Sequence, residues 1–209
     1  VESGRGVYFS NPDGIANILT RVTGQEISNI NGTLGVLGNA NLFLINPNGI
    51  VFGPGARLDV QGSFVGSTAD SILFENYEFS AANPNAPPLL TINVPTGLQM
   101  GNNPGEIVVR SRPSPLTEGE FNEMADEMDS GLTVPSGNSF TLVGGNVRIE
   151  GGQIQAPSAN VQLTGLANTG IVDLDANHQN VSLPEGIKRG NILLNQRAQI
   201  NVRGNGGGS

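Results

Sequence analysis

The sequence contains no cysteine and no tryptophan, and it has a single histidine, His178, and a single lysine, Lys188. Without cysteine there is no disulfide, no thiolate nucleophile and no cysteine-ligated metal. A zinc site built without thiolates needs at least two imidazoles, so one histidine excludes that site as well. The 18 acidic residues outnumber the 10 basic ones and give a net charge of −8, which disfavours binding to a nucleic-acid backbone.

Long hydrophobic runs are also missing, since no stretch of about 18 apolar residues could span a bilayer. The acidic balance disfavours an anionic membrane surface, and we expect no direct membrane insertion. A length of 209 residues fits a single domain, which we predict at 1–209. The chain opens on Val1 and closes on a glycine-rich run to Ser209, so we expect it to be a piece of a longer protein.

Glycine is abundant, with 30 residues, and it separates short apolar alternations from one end of the chain to the other. Helical periodicity is nearly absent, whereas alternation of period two is typical of strands. The alternations recur at a fixed distance: Phe140 is followed 21 residues later by Val161, and Ile171 at the same interval by Ile192. Residues 56–62 also read like residues 198–204.

A repeat of about 20–21 residues with several short strands is typical of one coil of a parallel β-helix. In a three-sided coil the inward side chains stack on the coils above and below, while asparagine and glycine suit the corners. The alternative is a β-sandwich with turns every 8–12 residues or so. The repeats favour an all-β parallel β-helix.

Residues 75–137 break the pattern, because they hold 8 of the 13 prolines. We predict that this region is an insertion made of excursions outside the coils, with strand runs at 89–94 and 106–110. One short α-helix is predicted at 117–131, where Thr117 and Glu120 form a capping box and Gly131 is a stop signal. Its six acids, at 118–129, fit a solvated helix face, and a calcium site is the alternative.

Few residues are candidates for chemistry. His178 lies in a polar run that reads as an exposed loop, and no Gly-x-Ser-x-Gly elbow accompanies it. Asp173 and Asp175 are two apart in a predicted strand and so share one face, as a carboxylate pair of a polysaccharide-active enzyme would. A solvent-facing strand has the same pattern, and no aromatic platform lies nearby. We predict no enzyme activity, no cofactor and no metal.

Two turn sequences stand out in the first quarter of the chain. Asparagine bonds the backbone two residues on, proline presets φ at the second position, and glycine suits the last position of a type I turn. Each turn is followed by an apolar residue that starts another strand. The two turns are Asn11, Pro12, Asp13 and Gly14, and Asn46, Pro47, Asn48, Gly49 and Ile50.

The blocks at 19–24, 27–32 and 42–50 closely resemble the two-partner secretion (TPS) domain, also called the filamentous haemagglutinin N-terminal domain. The order and spacing of the blocks match across residues 6–74 or so, and looser agreement at 142–154 extends the likeness. The sequence is most similar to the branch that includes adhesins and the large exoproteins of cyanobacteria. The resemblance implies a right-handed parallel β-helix.

The resemblance also implies a function and a partner. Such a domain is the secretion signal of a large exoprotein, is recognised by the periplasmic POTRA domains of a TpsB-type outer-membrane transporter, and seeds folding of the passenger. The family's second motif maps onto Asn46, Pro47, Asn48, Gly49 and Ile50. The first motif, Asn-Pro-Asn-Leu, is absent as such, and residues 11–14 stand in a related place. From the resemblance we also expect that a segment which caps the helix in the family is missing before Val1.

From these observations we expect a monomer that is secreted or displayed on the cell surface of a Gram-negative-type bacterium, by way of the periplasm and outer membrane. A surface adhesin that binds carbohydrate or protein is the second hypothesis. A β-helix polysaccharide-active enzyme is the third.

Overall fold

A computed structural model describes residues 1–83, 94–112, 131–175 and 180–204. Every regular element in these ranges is a β-strand, and most of the strands pair in parallel. The described residues include no helix with the length and hydropathy needed to cross a membrane. The chain is therefore all-β, as predicted.

The parallel strands form a three-sided, β-helix-like stack, because successive strands return to the same sheet once per coil. The first face has two sheets, β1 (Gly6–Ser10), β4 (Thr33–Leu37) and β7 (Arg57–Asp59), then β13 (Leu132–Thr133), β16 (Gln153–Gln155) and β21 (Gln199–Asn201). The second face has β2 (Asn17–Arg21), β5 (Asn41–Ile45), β8 (Phe64–Ser67), β14 (Phe140–Gly144) and β17 (Val161–Gly165). The third has β3 (Ser28–Ile30), β6 (Ile50–Phe52), β12 (Ile107–Val109), β15 (Val147–Glu150) and β20 (Ile192–Asn195).

The register confirms the main repeat seen in the sequence. Phe140 pairs with Val161, 21 residues later, and both lie on the second face. Earlier coils are longer: Asn17 pairs with Asn41, and Gly6 with Thr33. The coil length therefore exceeds the predicted 20–21 residues near the start of the stack. The right-handedness of the coil stays a prediction.

One repeat was assigned wrongly. Ile171 pairs antiparallel with Gln99, outside the stack, whereas Ile192 pairs in parallel with Val147 on the third face. The two isoleucines share a spacing but have different environments, because the segment that contains Ile171 leaves the coil. The likeness between 56–62 and 198–204 is structural, since β7 and β21 both lie on the first face.

The main core fills the inside of the stack with inward side chains from all three faces. Phe64 is fully buried and contacts Phe52 at a centroid distance of 6.0 Å and Phe140 at 5.6 Å. Burying one such side chain is worth roughly 1.5–3 kcal/mol. Phe64 and Phe140 are partners on paired strands of the second face, so their ring contact helps to hold neighbouring coils in register.

A second, antiparallel sheet lies against the outside of the second face. This side sheet consists of β9 (Ser71–Phe74), β10 (Tyr77–Ser80), β11 (Gly97–Met100), β18 (Gly170–Leu174) and β19 (Val181–Ser182), in the order β10-β9-β11-β18-β19. Between it and the stack lies a second core, which includes Phe43 and Ile45. Leu42 and Leu44 of the same strand point into the main core. Both faces of β5 are buried, which explains why its sequence from Leu42 to Ile45 is a continuous apolar run.

The predicted insertion at 75–137 contains strands of two kinds. Its described strands β10 and β11 belong to the side sheet, whereas β12 and β13 are rungs of the stack, with Ile107 paired to both Ile50 and Val147. The predicted strand at 106–110 thus exists and lies within the coil. The predicted helix at 117–131 lies outside the described residues apart from Gly131, as does the run at 89–94 apart from Val94.

Candidate functional site

The turn at 46–50 forms the corner between the second and third faces in the second coil. The Gly49 N–H donates to the Asn46 carbonyl at 3.1 Å, which closes the four-residue turn. Gly49 has a φ of +132°, a backbone conformation that residues other than glycine rarely adopt. Ile50 then enters β6 with its side chain fully buried. The tetrad is therefore a turn, with each residue type suited to its position.

Asn46 is completely buried, and its side-chain amide is saturated with hydrogen bonds. Its Nδ2 donates to the Glu26 carbonyl at 3.0 Å and to Ser28 Oγ at 2.9 Å, in the coil before it. Its Oδ1 accepts from the backbone N–H of Asn48 at 3.0 Å and from Asn48 Nδ2 at 3.1 Å. Both donors and both lone pairs are used, so Asn46 ties the turn to the first coil.

The coil after it closes on the same turn. The Gly105 N–H donates to the Pro47 carbonyl at 2.9 Å, and the Ile50 N–H donates to the Glu106 carbonyl at 3.1 Å. A Cβ at Gly105 would lie 2.4 Å from the Asn48 carbonyl carbon, so glycine is required where the backbones meet. The turn is thus held between the first coil and the segment that returns from the side sheet.

Only part of the turn faces solvent. Asn48 is exposed and Pro47 is half-buried, whereas Asn46, Gly49 and Ile50 are buried. Asn48 Nδ2 also donates to the Gly24 carbonyl at 2.8 Å. In the folded protein, a partner could reach Asn48 and the edge of Pro47, and the rest of the motif is internal.

The turn at 11–14 lies at a different corner, between the first and second faces of the first coil. The Ile15 N–H donates to the Pro12 carbonyl at 3.2 Å, and Pro12, Asp13 and Gly14 are exposed. With its amide oriented to satisfy its neighbours, Asn11 Oδ1 accepts from the Ala40 N–H at 3.1 Å. The two turns look alike in sequence, but the fold does not bring them to one corner.

The other candidates for chemistry are spread apart. In β18, Val172 and Leu174 point into the second core and Asp173 is exposed, as the alternation predicts. Asp175 follows the strand and accepts from Asn180 Nδ2 at 2.8 Å. His178 lies outside the described residues. Across the described ranges, His, Asp and Glu side chains form no group of three or more that could hold a metal ion.

An ionic cluster on the third face was not found by sequence reasoning. Glu150, almost fully buried, accepts from Arg110 Nε at 2.9 Å and pairs with Arg148, which also contacts Glu106 at 3.3 Å. The hydrogen bond from Arg110 is the main cause that lowers the pKa of Glu150. Arg148 and Glu150 are two residues apart in β15, so the sequence places them side by side. Arg110 is brought to them only by the pairing of β12 with β15.

Asp70 is the opposite case, because burial raises its pKa. It lies where the chain leaves the second face for the side sheet, and its backbone N–H donates to the Gln99 carbonyl at 2.8 Å. A Cβ added to Gly101 would lie only 2.5 Å from Asp70 Oδ2, so glycine leaves the room that this carboxylate occupies. A single half-buried carboxylate does not form a metal site or an acid–base pair.

Comparison with models of protein families gives a match. The model of a family described as the TPS secretion domain covers residues 1–209, the whole chain. No protein with a curated description matches the chain.

Proposed function

The chain belongs to the TPS secretion domain family, and from this premise we propose that POTRA domains of a TpsB-type outer-membrane transporter recognise it. Membership makes the chain a secretion-signal module of a two-partner secretion exoprotein, with an outer-membrane transporter as its partner. Proteins with this domain are secreted by a Gram-negative outer-membrane route, and the family consists of secretion and adhesin modules rather than enzymes. The finer steps below are proposals.

The proposed recognition takes place before the chain folds. Asn46, Gly49 and Ile50 are buried in the folded corner, so a transporter that reads the whole motif must meet it unfolded. An extended segment can add a strand to an exposed sheet edge, where backbone hydrogen bonds give affinity and side chains give specificity. The burial of Asn46 is the observation that supports this order of events.

The proposed second role is to seed folding of the passenger. At the last rung of the third face, Ile192, Leu193 and Leu194 are 46%, 45% and 47% exposed. An unpaired strand edge with exposed apolar side chains can template a further coil. In this proposal residues 1–209 act as one right-handed, monomeric domain, and within the predicted insertion at 75–137 it is β10 and β11 that lie outside the coils.

Binding to isolated POTRA domains tests recognition, provided that folding is removed from the comparison. Phe140→Asp places a charge in the main core and keeps the full chain unfolded. On that background, Asn46→Ala and Asn48→Ala are expected to weaken binding about tenfold or more, which is about 1.4 kcal/mol. Asn76→Ala, at an exposed turn of the side sheet, is the matched control and is expected to have no effect.

Equal affinity of all four chains would mean that the motif serves folding alone. In cells, Asn46→Ala is expected to abolish secretion under the proposal. Continued secretion of Asn46→Ala at the level of Asn76→Ala would contradict it.

A further inference from the structure

A solenoid coil contacts only its neighbours, so a plain stack loses its end coils first and independently. The side sheet adds connections that the stack lacks. Its strands β9, β10 and β11 come from the excursion between β8 and β12, and β18 and β19 from the excursion between β17 and β20. Leu98 of β11 pairs with Val172 of β18, which joins the two excursions into one sheet.

The second core beneath this sheet reaches every rung of the second face. Leu19 contributes from the first rung, with Phe43 and Ile45 from the second. Val65 and Val143 contribute from the third and fourth rungs, and Leu166 directly follows the last. Apolar contact therefore runs continuously along the outside of the face, whereas the first and third faces have no sheet against them among the described residues.

Both ends of the side sheet are attached to the end rungs. At the first rung, Arg21 Nη1 donates to the Ser80 carbonyl at 2.6 Å, and the Arg21 guanidinium lies 4.4 Å from the centroid of the Phe79 ring. At the last rung, Gln162 Oε1 accepts from the Val181 N–H at 2.6 Å. Each contact links an end rung of the stack to an edge strand of the side sheet.

We infer that the side sheet is a strap that makes the second face open in one cooperative step, its end rungs included. The end rungs of the first and third faces, which it does not cover, open locally. The inference concerns the folded chain and does not rest on the proposed function.

Residue-resolved amide hydrogen exchange on the purified wild-type chain tests the strap, because the structure supplies matched amides. In the first coil, the Val22 N–H donates to the Ile45 carbonyl at 2.9 Å beside the strap, and the Ser28 N–H donates to the Gly49 carbonyl at 3.0 Å away from it. At the other end, the Leu166 N–H donates to the Gly144 carbonyl at 2.9 Å beneath the strap, and the Gln199 N–H donates to the Gly152 carbonyl at 3.0 Å outside it. Phe64, in a central rung, is the reference.

The protection factors of Val22 and Leu166 are expected within about threefold of that of Phe64, and those of Ser28 and Gln199 at least about tenfold lower. Equal loss of protection at Val22 and Ser28 would overturn the strap, because the first coil would then fray as a unit. Equal protection at all four amides would overturn it as well, because the stack alone would be cooperative.

Arg21→Ala cuts one attachment without emptying either core. Val22 is expected to lose at least about tenfold in protection, while Leu166 keeps its value. Arg5→Ala is the matched control, since Arg5 is an exposed arginine of the first coil that pairs locally with Glu2. An unchanged Val22 in Arg21→Ala, or an equal loss in Arg5→Ala, would contradict the assignment of Arg21 to the strap.

Discussion

At the scale of single residues, Asn46 and Asn48 of the turn at 46–50 contribute differently to the fold. Asn46 is buried and makes four hydrogen bonds, two of them to the preceding coil, whereas Asn48 is exposed. A buried polar group whose partner is removed costs far more than an exposed one, because water cannot replace the lost bond. The turn at 46–50 is therefore an internal connection between the first and second coils of the folded protein.

Asn46→Ala is expected to lower the free energy of unfolding by about 2–4 kcal/mol, because it leaves the Glu26 carbonyl and the Asn48 N–H without their partner. Asn48→Ala is expected to cost less than about 1 kcal/mol, since solvent reaches that side chain. Urea denaturation followed by circular dichroism measures both. Equal losses of unfolding free energy in the two variants would show that the hydrogen bonds of Asn46 do not stabilise the contact between the turn and the first coil.

Glu150→Gln is expected to cost about 1–3 kcal/mol at pH 7, because Arg110 and Arg148 lose their shared carboxylate. The lowered pKa of Glu150 sets the pH dependence: its contribution is fully present above the unfolded value of about 4.3 and is lost as the pH falls through the folded pKa. The stability gap between wild type and Glu150→Gln should therefore shrink below about pH 4. Denaturation at pH 7 and pH 3 measures it.

The control for this prediction is Glu2→Gln, which removes an exposed pair with Arg5 and should change stability by less than about 1 kcal/mol at either pH. A gap for Glu150→Gln that widens in acid would reverse the sign of the argument.

At the scale of elements, both excursions leave the stack near one corner. The described parts of the two excursions, 69–83 with 94–105 and 166–175 with 180–191, follow a strand of the second face and precede a strand of the third, which is where the second coil has its turn at 46–50. The first excursion returns by hydrogen bonding Gly105 to the Pro47 carbonyl. The turn therefore fixes the point at which the chain re-enters the stack, and β12 then pairs between β6 and β15.

Gly105→Ala is expected to destabilise the protein by about 1–3 kcal/mol, because its Cβ would overlap the Asn48 backbone. Gly24→Ala is the control, since a Cβ there meets nothing within 4 Å. Thermal unfolding of the two variants makes the comparison. A tolerated Gly105→Ala would mean that the turn does not determine where the excursion returns.

At the scale of the whole molecule, two cores share one sheet. The second face separates the main core from the second core, so its central strands β5, β8 and β14 are buried on both sides. The stack nevertheless leaves an apolar patch at its last rung, formed by Ile192, Leu193 and Leu194. Exposed apolar edges of this kind are where self-association starts.

The proposed monomer is tested by sedimentation of the purified chain, which should give one species of 21.7 kDa at micromolar concentration. If a larger species is found, the pair Ile192→Thr and Leu194→Thr identifies its interface, with Leu37→Thr as the control at an exposed leucine on the first face. A wild-type dimer that becomes monomeric in the double variant, but not in Leu37→Thr, would contradict the prediction that the chain is a monomer.

The sequence by itself determined the all-β class, the 21-residue repeat that joins Phe140 to Val161 and the turn at 46–50, because periodicity and turn chemistry act between neighbours in the chain. Only the tertiary structure decided that β11 pairs with β18 to form the side sheet, that Arg110 reaches Glu150, and that Ile171 and Ile192 are not equivalent. These depend on which strands meet after the chain has folded back, and pairing between distant strands is set by packing rather than by local pattern.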